Sequence, residues 1–315
     1  MFSDSISGRT VLVTGGAGFI GSHLADALVG GNTVWVLDDL STGDRSNVPE
    51  KAQVIRGDIR DPDVLARAMA GVDVVFHEAA MVSVERSIEE PWESHSTNAA
   101  ATLDVLEAAR DVDARVVLAS SAAVYGQPET VPVQESAPKD PTSPYGIDKL
   151  TADSYARLYA KLYDLPTVVL RYFNVYGPRQ TGGDYSGVIS VFLEQARNGR
   201  DLTVQGDGTQ TRDFVHVSDV VRANLKAATT DSVGEAFNVA TGQSVTIREL
   251  AERVRTVTDA TSDIVHTDPR PGDVERSSAD ISKARTELGY EPAVDLDEGL
   301  SSMVDDGRRL SRNDP

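Results

Sequence analysis

Residues 10–38 read TVLVTGGAGFIGSHLADALVGGNTVWVLD, and the fold turns on how this stretch is parsed. TVLVT and TVWVLD are short, β-branched runs without strict alternation, the pattern of parallel strands buried on both faces. Between them a glycine cluster opens a helix, SHLADALVGG. Two spacings overlap in the cluster: Gly16-x-Gly18-x-x-Gly21 and the wider Gly15-x-x-Gly18-x-x-Gly21. In either, glycines permit a tight turn, let backbone N–H groups approach a pyrophosphate, and let the helix pack close to the strand. Asp38 ends the second strand, 17 residues after Gly21. A carboxylate there accepts a hydrogen bond from a ribose 2′-OH and repels a 2′-phosphate, which selects NAD over NADP. A glycine turn alone would be structural; strand, helix and acid together make it a dinucleotide site. Asp58, in RGDIRD, closes the third strand. Spacing alone leaves it either beside an adenine or as an acid at a helix start.

The alternation continues outward. AQVIRGD and VDVVFHEAA read as strands, DPDVLARAM and TNAAATLDVLEAARD as helices, and ARVVLASS as a strand. A helix from Ser143 to about Tyr163 and a strand LPTVVLRYFNVYG follow. Strands alternating with helices predict an α/β fold, a doubly wound parallel sheet of the Rossmann type. After residue 172 proline and glycine thicken and the elements shorten. We expect an NAD-binding domain over 1–172 plus about 213–240. A smaller mixed α/β substrate domain would span about 173–212 plus 241–315, with the chain returning to the sheet through DFVHVSDVVRANLKA.

Composition narrows the function classes. With 40% hydrophobic residues among 315, the chain can bury a sizeable core. It has no cysteine, which excludes disulfides and thiolate metal sites, and its five histidines are scattered without ligand spacing, so no metal site is expected. No window is long and apolar enough for a membrane span, and the N-terminus does not read as a signal peptide, so a cytoplasmic protein is expected. The formal net charge is −19, with 32 Asp and 17 Glu against 24 Arg and only 6 Lys. Such a surface repels nucleic acid and anionic membranes, and suits solubility in high salt, as in a halophile.

SPYGIDKL, residues 143–150, begins a helix with Ser143 as cap and Pro144 in the first turn. Tyr145 and Lys149, four apart, project from one face. Taken alone, such a pair is ordinary surface decoration. The same helix carries a wide apolar stripe, Leu150, Tyr155, Leu158, Tyr159 and Leu162, more than one sheet contact requires.

TGGAGFIGSHL, DDLSTG, GDIRD, SSAAVYG, SPYGIDK, RYFNVYGPRQ, TRDFVHVSD and RPGDV occur in this order. Together they resemble the extended short-chain dehydrogenase/reductase family, in particular its NAD-dependent sugar-nucleotide epimerase/dehydratase branch, and most of all the UDP-glucose or UDP-N-acetylglucosamine 4-epimerases. The likeness runs from about residue 9 to 300. It implies a triad of Ser121, Tyr145 and Lys149. Phenol has an ordinary pKa of about 10, too high for a base at neutral pH. An ammonium one turn away and a positive nicotinamide ring favour the phenolate. Tyr145 can then take a proton from a sugar hydroxyl while Ser121 steadies the same oxygen.

The resemblance further implies cofactor contacts at Gly15, Gly18, Phe19, Ile20, Gly21, Asp38, Asp58, Ile59 and Ala79, with Tyr145 and Lys149. It implies UDP-sugar contacts at Ser83, Asn174, Arg212, Arg270 and Asp273, with Asn98 nearby and Arg179 as a further candidate. Forked arginines suit a diphosphate and would hold an anion inside an acidic shell. Ser277 stands where epimerases restricted to plain hexoses resemble one another in a bulky tyrosine, so N-acetylated sugars are expected to fit. The family's pairing of two helices per subunit implies a homodimer.

The branch divides at the two residues after Ser121. Dehydratases carry an acidic pair there and UDP-glucuronate decarboxylases a glutamate at the second place; this chain has Ala122 and Ala123. Without an acid to drive elimination, C4 epimerisation through a transient 4-keto sugar is expected. The other readings are a 4,6-dehydratase, a UDP-glucuronate decarboxylase or epimerase, an oxidoreductase releasing NADH, and a non-catalytic NAD-binding sensor.

Overall fold

The computed structural model describes residues 6–180, 187–269, 272 and 274–313. Its centre is a seven-stranded, wholly parallel sheet. Six strands come in sequence: β1 (Thr10–Thr14), β2 (Thr33–Asp38), β3 (Gln53–Arg56), β4 (Val74–His77), β5 (Arg115–Ser121) and β6 (Thr167–Tyr172). Four short strands follow, β7 (Asn174–Tyr176), β8 (Leu202–Gln205), β9 (Thr211–Arg212) and β10 (Phe214–His216), and then the seventh sheet strand, β11 (Glu235–Val239). The spatial order is β3-β2-β1-β4-β5-β6-β11. Order reverses between β1 and β4, the crevice where doubly wound sheets bind their ligands.

Both faces are covered, as the near-continuous apolar strands require. Helices α1 (Phe19–Leu28), α2 (Pro62–Met69), α3 (Val84–Glu89), α4 (Pro91–His95), α5 (Ala101–Asp111) and α6 (Pro144–Tyr163) connect the first six strands. Beyond them lie α7 (Val188–Arg197), α8 (Val217–Ala227), α9 (Ile247–Thr258) and α10 (Leu296–Asn313), with β12 (Val245–Thr246) and β13 (Ile264–Thr267). One core joins α1 and α8 to the sheet through Val11, Val13, Leu24, Phe76, Leu170 and Val220. A second packs α2, α5 and α6 on the other face through Leu12, Val75, Leu106 and Ala156. A third unites α7, α9 and α10 with β8 through Phe192, Leu202, Leu250 and Leu300.

Details differ from the sequence reading. LPTVVLRYFNVYG is two strands, not one: Phe173 still bonds to Val239, but Asn174 donates to Asp213, and β7 pairs with β10. Within DFVHVSDVVRANLKA, β10 pairs with β7 while α8 packs on the main sheet and leads into β11, which joins the sheet alongside β6. Residues Ala279, Ile281, Ala284, Leu288 and Tyr290 pack in the first core. Helix α10 had no counterpart in that reading.

Candidate active site

The β1–α1 turn is built by glycine geometry. Gly15 has φ +66°, and a Cβ there would lie 2.7 Å from the backbone of Ala79. A Cβ on Gly21 would strike the Gly15 carbonyl. These two glycines let β1, α1 and the segment after β4 meet. A Cβ on Gly18 would meet only that carbonyl, at 3.2 Å, and otherwise open space. Gly18 is the N-cap of α1 and no side chain caps the helix, so the amides of Phe19, Ile20 and Gly21 are placed for an anion.

Asp38 is 7% exposed at the end of β2. Its Oδ2 accepts from the Ala17 N–H and its Oδ1 from the Leu40 N–H, each at 2.8 Å. Burial raises its pKa and the two N–H groups pull it back. The carboxylate thus ties the glycine turn to β2 and keeps lone pairs for a ribose hydroxyl. Asp58 is clasped by Arg60, whose Nη2 lies 2.6 Å from Oδ2. That contact holds the acid below its usual range. Capping of α2 falls instead to Asp61, which accepts from Asp63 and Val64. Ile59 is buried in the second core. Ala79 donates its N–H to Thr14 Oγ1 at 3.3 Å. An open glycine turn, an uncapped helix start and a carboxylate on the next strand fit a dinucleotide.

The triad residues come from two elements. β5 ends on Ser121, whose Oγ accepts from the Ala123 N–H at 3.1 Å. Helix α6 starts where Ser143 Oγ accepts from the Gly146 N–H at 3.1 Å, with Pro144 in the first turn. The Tyr145 N–H donates to Ser87 Oγ at 3.2 Å, which anchors that turn to α3. Tyr145 lies beside Ser121, whose hydroxyl acts to lower the phenol pKa. Lys149 is 6% exposed; its Nζ donates to the Ala119 carbonyl at 2.9 Å and lies 6.0 Å from the Tyr145 ring centre. Burial lowers the Lys149 pKa to about 8, against the pull of Glu78 and Asp148. Burial also raises the Tyr145 phenol, and Ser121 opposes it. Added positive charge beside the phenol would bring it toward neutral pH.

The substrate-side residues are more dispersed. Ser83 caps α3, accepting from the Arg86 N–H at 3.1 Å. Asn98 holds Met81 by both its backbone groups, at 2.9 and 3.0 Å. Asn174 is exposed at the start of β7. Arg212 donates to the Val274 carbonyl at 2.5 Å, and the Ser277 N–H donates to the Thr211 carbonyl at 3.2 Å, so β9 brings these two positions together. Arg270 and Asp273 lie outside the described residues. Arg179 grips α1 through Asp26, at 2.7 Å, and Ser22. Sequence reasoning missed Asp148, buried and bound by Ser94 Oγ (2.6 Å) and His95 Nδ1 (3.0 Å), and it missed Glu78. The signal for Glu78 was a charge at the end of an apolar strand, in VVFHEAA.

Among the described residues no His, Asp and Glu side chains group to hold a metal, and no helix is long and apolar enough to cross a membrane. The model of the NAD dependent epimerase/dehydratase family matches residues 11–240. A putative UDP-glucose 4-epimerase of Methanocaldococcus jannaschii is 41% identical over 298 residues, 93% of this chain and 97% of that protein. The UDP-N-acetylglucosamine 4-epimerase of Methanobrevibacter ruminantium, solved with UDP-N-acetylmuramic acid, superposes with TM-score 0.93 at 37% identity, covering 97% and 100% of the two chains. The NAD complex of Thermus thermophilus UDP-glucose 4-epimerase gives TM-score 0.88 at 38% identity, covering 95% and 99%. With its sheet order, its glycine turn and these relatives in agreement, the chain belongs to the NAD-dependent epimerase/dehydratase family.

Proposed function

We propose that the protein is an NAD-dependent epimerase that inverts C4 of a UDP-hexose, UDP-glucose or UDP-galactose and their N-acetylated forms, through a transient 4-keto sugar. What supports this is that Ser121 ends β5 beside Tyr145 and acts to lower its phenol pKa, with Lys149 Nζ 6.0 Å from the Tyr145 ring centre, next to Ala122 and Ala123 where an eliminating acid would stand. Bound NAD supplies the hydride acceptor and donor. Tyr145 takes the C4 hydroxyl proton and later returns it, and Ser121 hydrogen-bonds the same oxygen. Lys149 keeps positive charge by the phenol. Gly15, Gly18 and the first turn of α1 hold the pyrophosphate and Asp38 the ribose, with Ile59, Ala79 and Asp58 around them. Ser83, Asn174, Arg212, Arg270, Asp273 and Ser277 form the sugar-nucleotide side.

The test is incubation with UDP-, dTDP- and GDP-sugars and analysis of the products. We expect C4 epimers of UDP-hexoses, UDP-N-acetylglucosamine among them, without NADH accumulating. A 4-keto-6-deoxy sugar and no epimer would overturn the assignment. No turnover of the N-acetylated sugar beside good turnover of UDP-glucose would overturn the role of Ser277.

A homodimer built on α6 belongs to the same reading. Tyr155, Leu158, Leu162 and Tyr163 are exposed on that helix, Leu162 by 57%, whereas Ala152, Ala156 and Tyr159 face the second core. Light scattering should give twice the 33.7 kDa chain mass; a monomer would refute it. The acidic surface further suggests a high-salt setting, in which case the thermal midpoint rises as molar KCl is added.

A further inference from the structure

Helix α6 carries a buried acid that no step of the proposed chemistry uses. Asp148 stands between Tyr145 and Lys149 in the chain and is 3% exposed. Its two oxygens meet different groups, both on α4. Oδ2 accepts from Ser94 Oγ at 2.6 Å, and Oδ1 lies 3.0 Å from His95 Nδ1. Ser94 is fully buried, whereas His95 is half exposed. The buried side of the carboxyl group therefore belongs to Ser94.

Ser94 has one hydroxyl proton, and it goes to Asp148. The same oxygen accepts, at 3.3 Å, from Asn98 Nδ2, which can only donate. Asn98 Nδ2 also donates to the Met81 carbonyl at 3.0 Å, and the Met81 N–H donates to Asn98 Oδ1 at 2.9 Å. Every donor in the chain Met81–Asn98–Ser94–Asp148 thus has its acceptor, and only an acceptor can end it. Asn98 is as buried as Ser94. The helix gives up its regular register at this point: Ser96–Ala100 forms a π-helical turn with Asn98 at its middle. Such turns interrupt helices most often at functional sites.

What the chain holds is a segment at the centre of the site. Met81 lies between Ala79, whose backbone abuts Gly15, and Ser83, which caps α3. From there α3 reaches the start of α6, where Ser87 accepts from the Tyr145 N–H. We propose that Asp148 is a positioning residue: through Ser94 and Asn98 it locks the backbone at Met81 to α6, so that Ser83 and Tyr145 meet the sugar in one fixed frame. Displacing a reacting group by about 1 Å can cost about 10²-fold in rate, even when the altered residue is far from the chemistry. The inference rests on the epimerase reading only for its activity arm.

The test follows the Met81 amide by NMR hydrogen exchange in the whole protein, labelled with 15N at its four methionines; Met81→Leu assigns the signal. Ser94→Ala removes the link, and Asp148→Asn keeps its shape while replacing one acceptor oxygen by a donor. In either variant the Met81 amide should exchange about ten-fold faster or more, since a hydrogen bond to a carboxylate is lost. With UDP-hexose, kcat should fall by about 10- to 100-fold while KM changes less. Both substitutions act on one bond, so the double variant should lose little more than the larger single effect. An unmoved Met81 amide in Ser94→Ala overturns the proposal, and so does a faster amide beside an unaltered kcat. Were Ser94→Ala not to fold, Asp148→Asn decides by the same two readings. A faster amide in the variant, when the wild type turns over no UDP-sugar, would sustain the tie between Asp148 and Met81 and refute the epimerase assignment instead.

Discussion

Tyr145 sits in a place that makes it a weaker acid than free tyrosine, because burial outweighs the opposing effect of Ser121. Its use as a base depends on the charge arranged around it, and Lys149 is held where it can supply some. Tyr145→Phe keeps the ring and its packing and removes only the proton route. We expect kcat to fall by about 10²–10⁴-fold, with NAD content and thermal midpoint unchanged. Full activity in that variant would remove Tyr145 from the chemistry. A capped helix start and an i, i+4 spacing made the shared face of Tyr145 and Lys149 legible, whereas their grouping with Ser121 came only through the family resemblance. The Glu78–Tyr172 hydrogen bond was not legible, because the two residues are 94 positions apart and nothing near Glu78 in the chain marks the contact.

At the scale of elements, the start of α6 is where structure and chemistry coincide. Ser143 caps the helix, and the Tyr145 amide is tied to Ser87, so the first turn is held from two sides. Ser143→Ala removes one tie and should cost about 1 kcal/mol of stability in chemical denaturation. Because Tyr145 lies two residues on, kcat should fall more than KM changes. An unaltered kcat beside the expected stability loss would confine Ser143 to a structural part. The order of the β1–α1–β2 unit was readable, with α1 starting at Phe19 and not Ser22, since glycine spacing, strand composition and the closing Asp38 all lie within 29 residues. The break after Tyr172 was not. An apolar run passes through Phe173 without interruption, and the departure of β7 is set by Asp213 and β10, some 40 residues later. Short strands paired at long range leave little periodic pattern behind.

At the scale of the whole molecule, the buried histidines link stability to pH. His77 is 2% exposed at the end of β4, the middle strand of the sheet, with its pKa lowered to about 3, and His216 is lowered to about 4, in both cases first by burial. Both values lie below the unfolded value of about 6.5, so the folded state holds these rings neutral while the unfolded chain protonates them. Their contribution is complete above pH 6.5 and is lost as pH falls through 4 and then 3, at about 1.4 kcal/mol per pH unit for each ring. Glu78 acts in the opposite sense. Its folded value of about 7 lies above the unfolded one, so acidification from 7 to about 4.5 favours the folded state and offsets one histidine. The net loss should thus be gentle from pH 6.5 to 4.5 and steeper below. His77→Gln separates the terms. It removes one proton-linked site and should flatten the dependence of unfolding free energy by about 1.4 kcal/mol per unit between pH 6 and 4.5, measured by urea titration at several pH values. In that variant Glu78 and His216 offset one another, so its stability should be nearly level over that window. An acid slope equal to wild type would show that His77 is charged, or free to charge, within the folded protein.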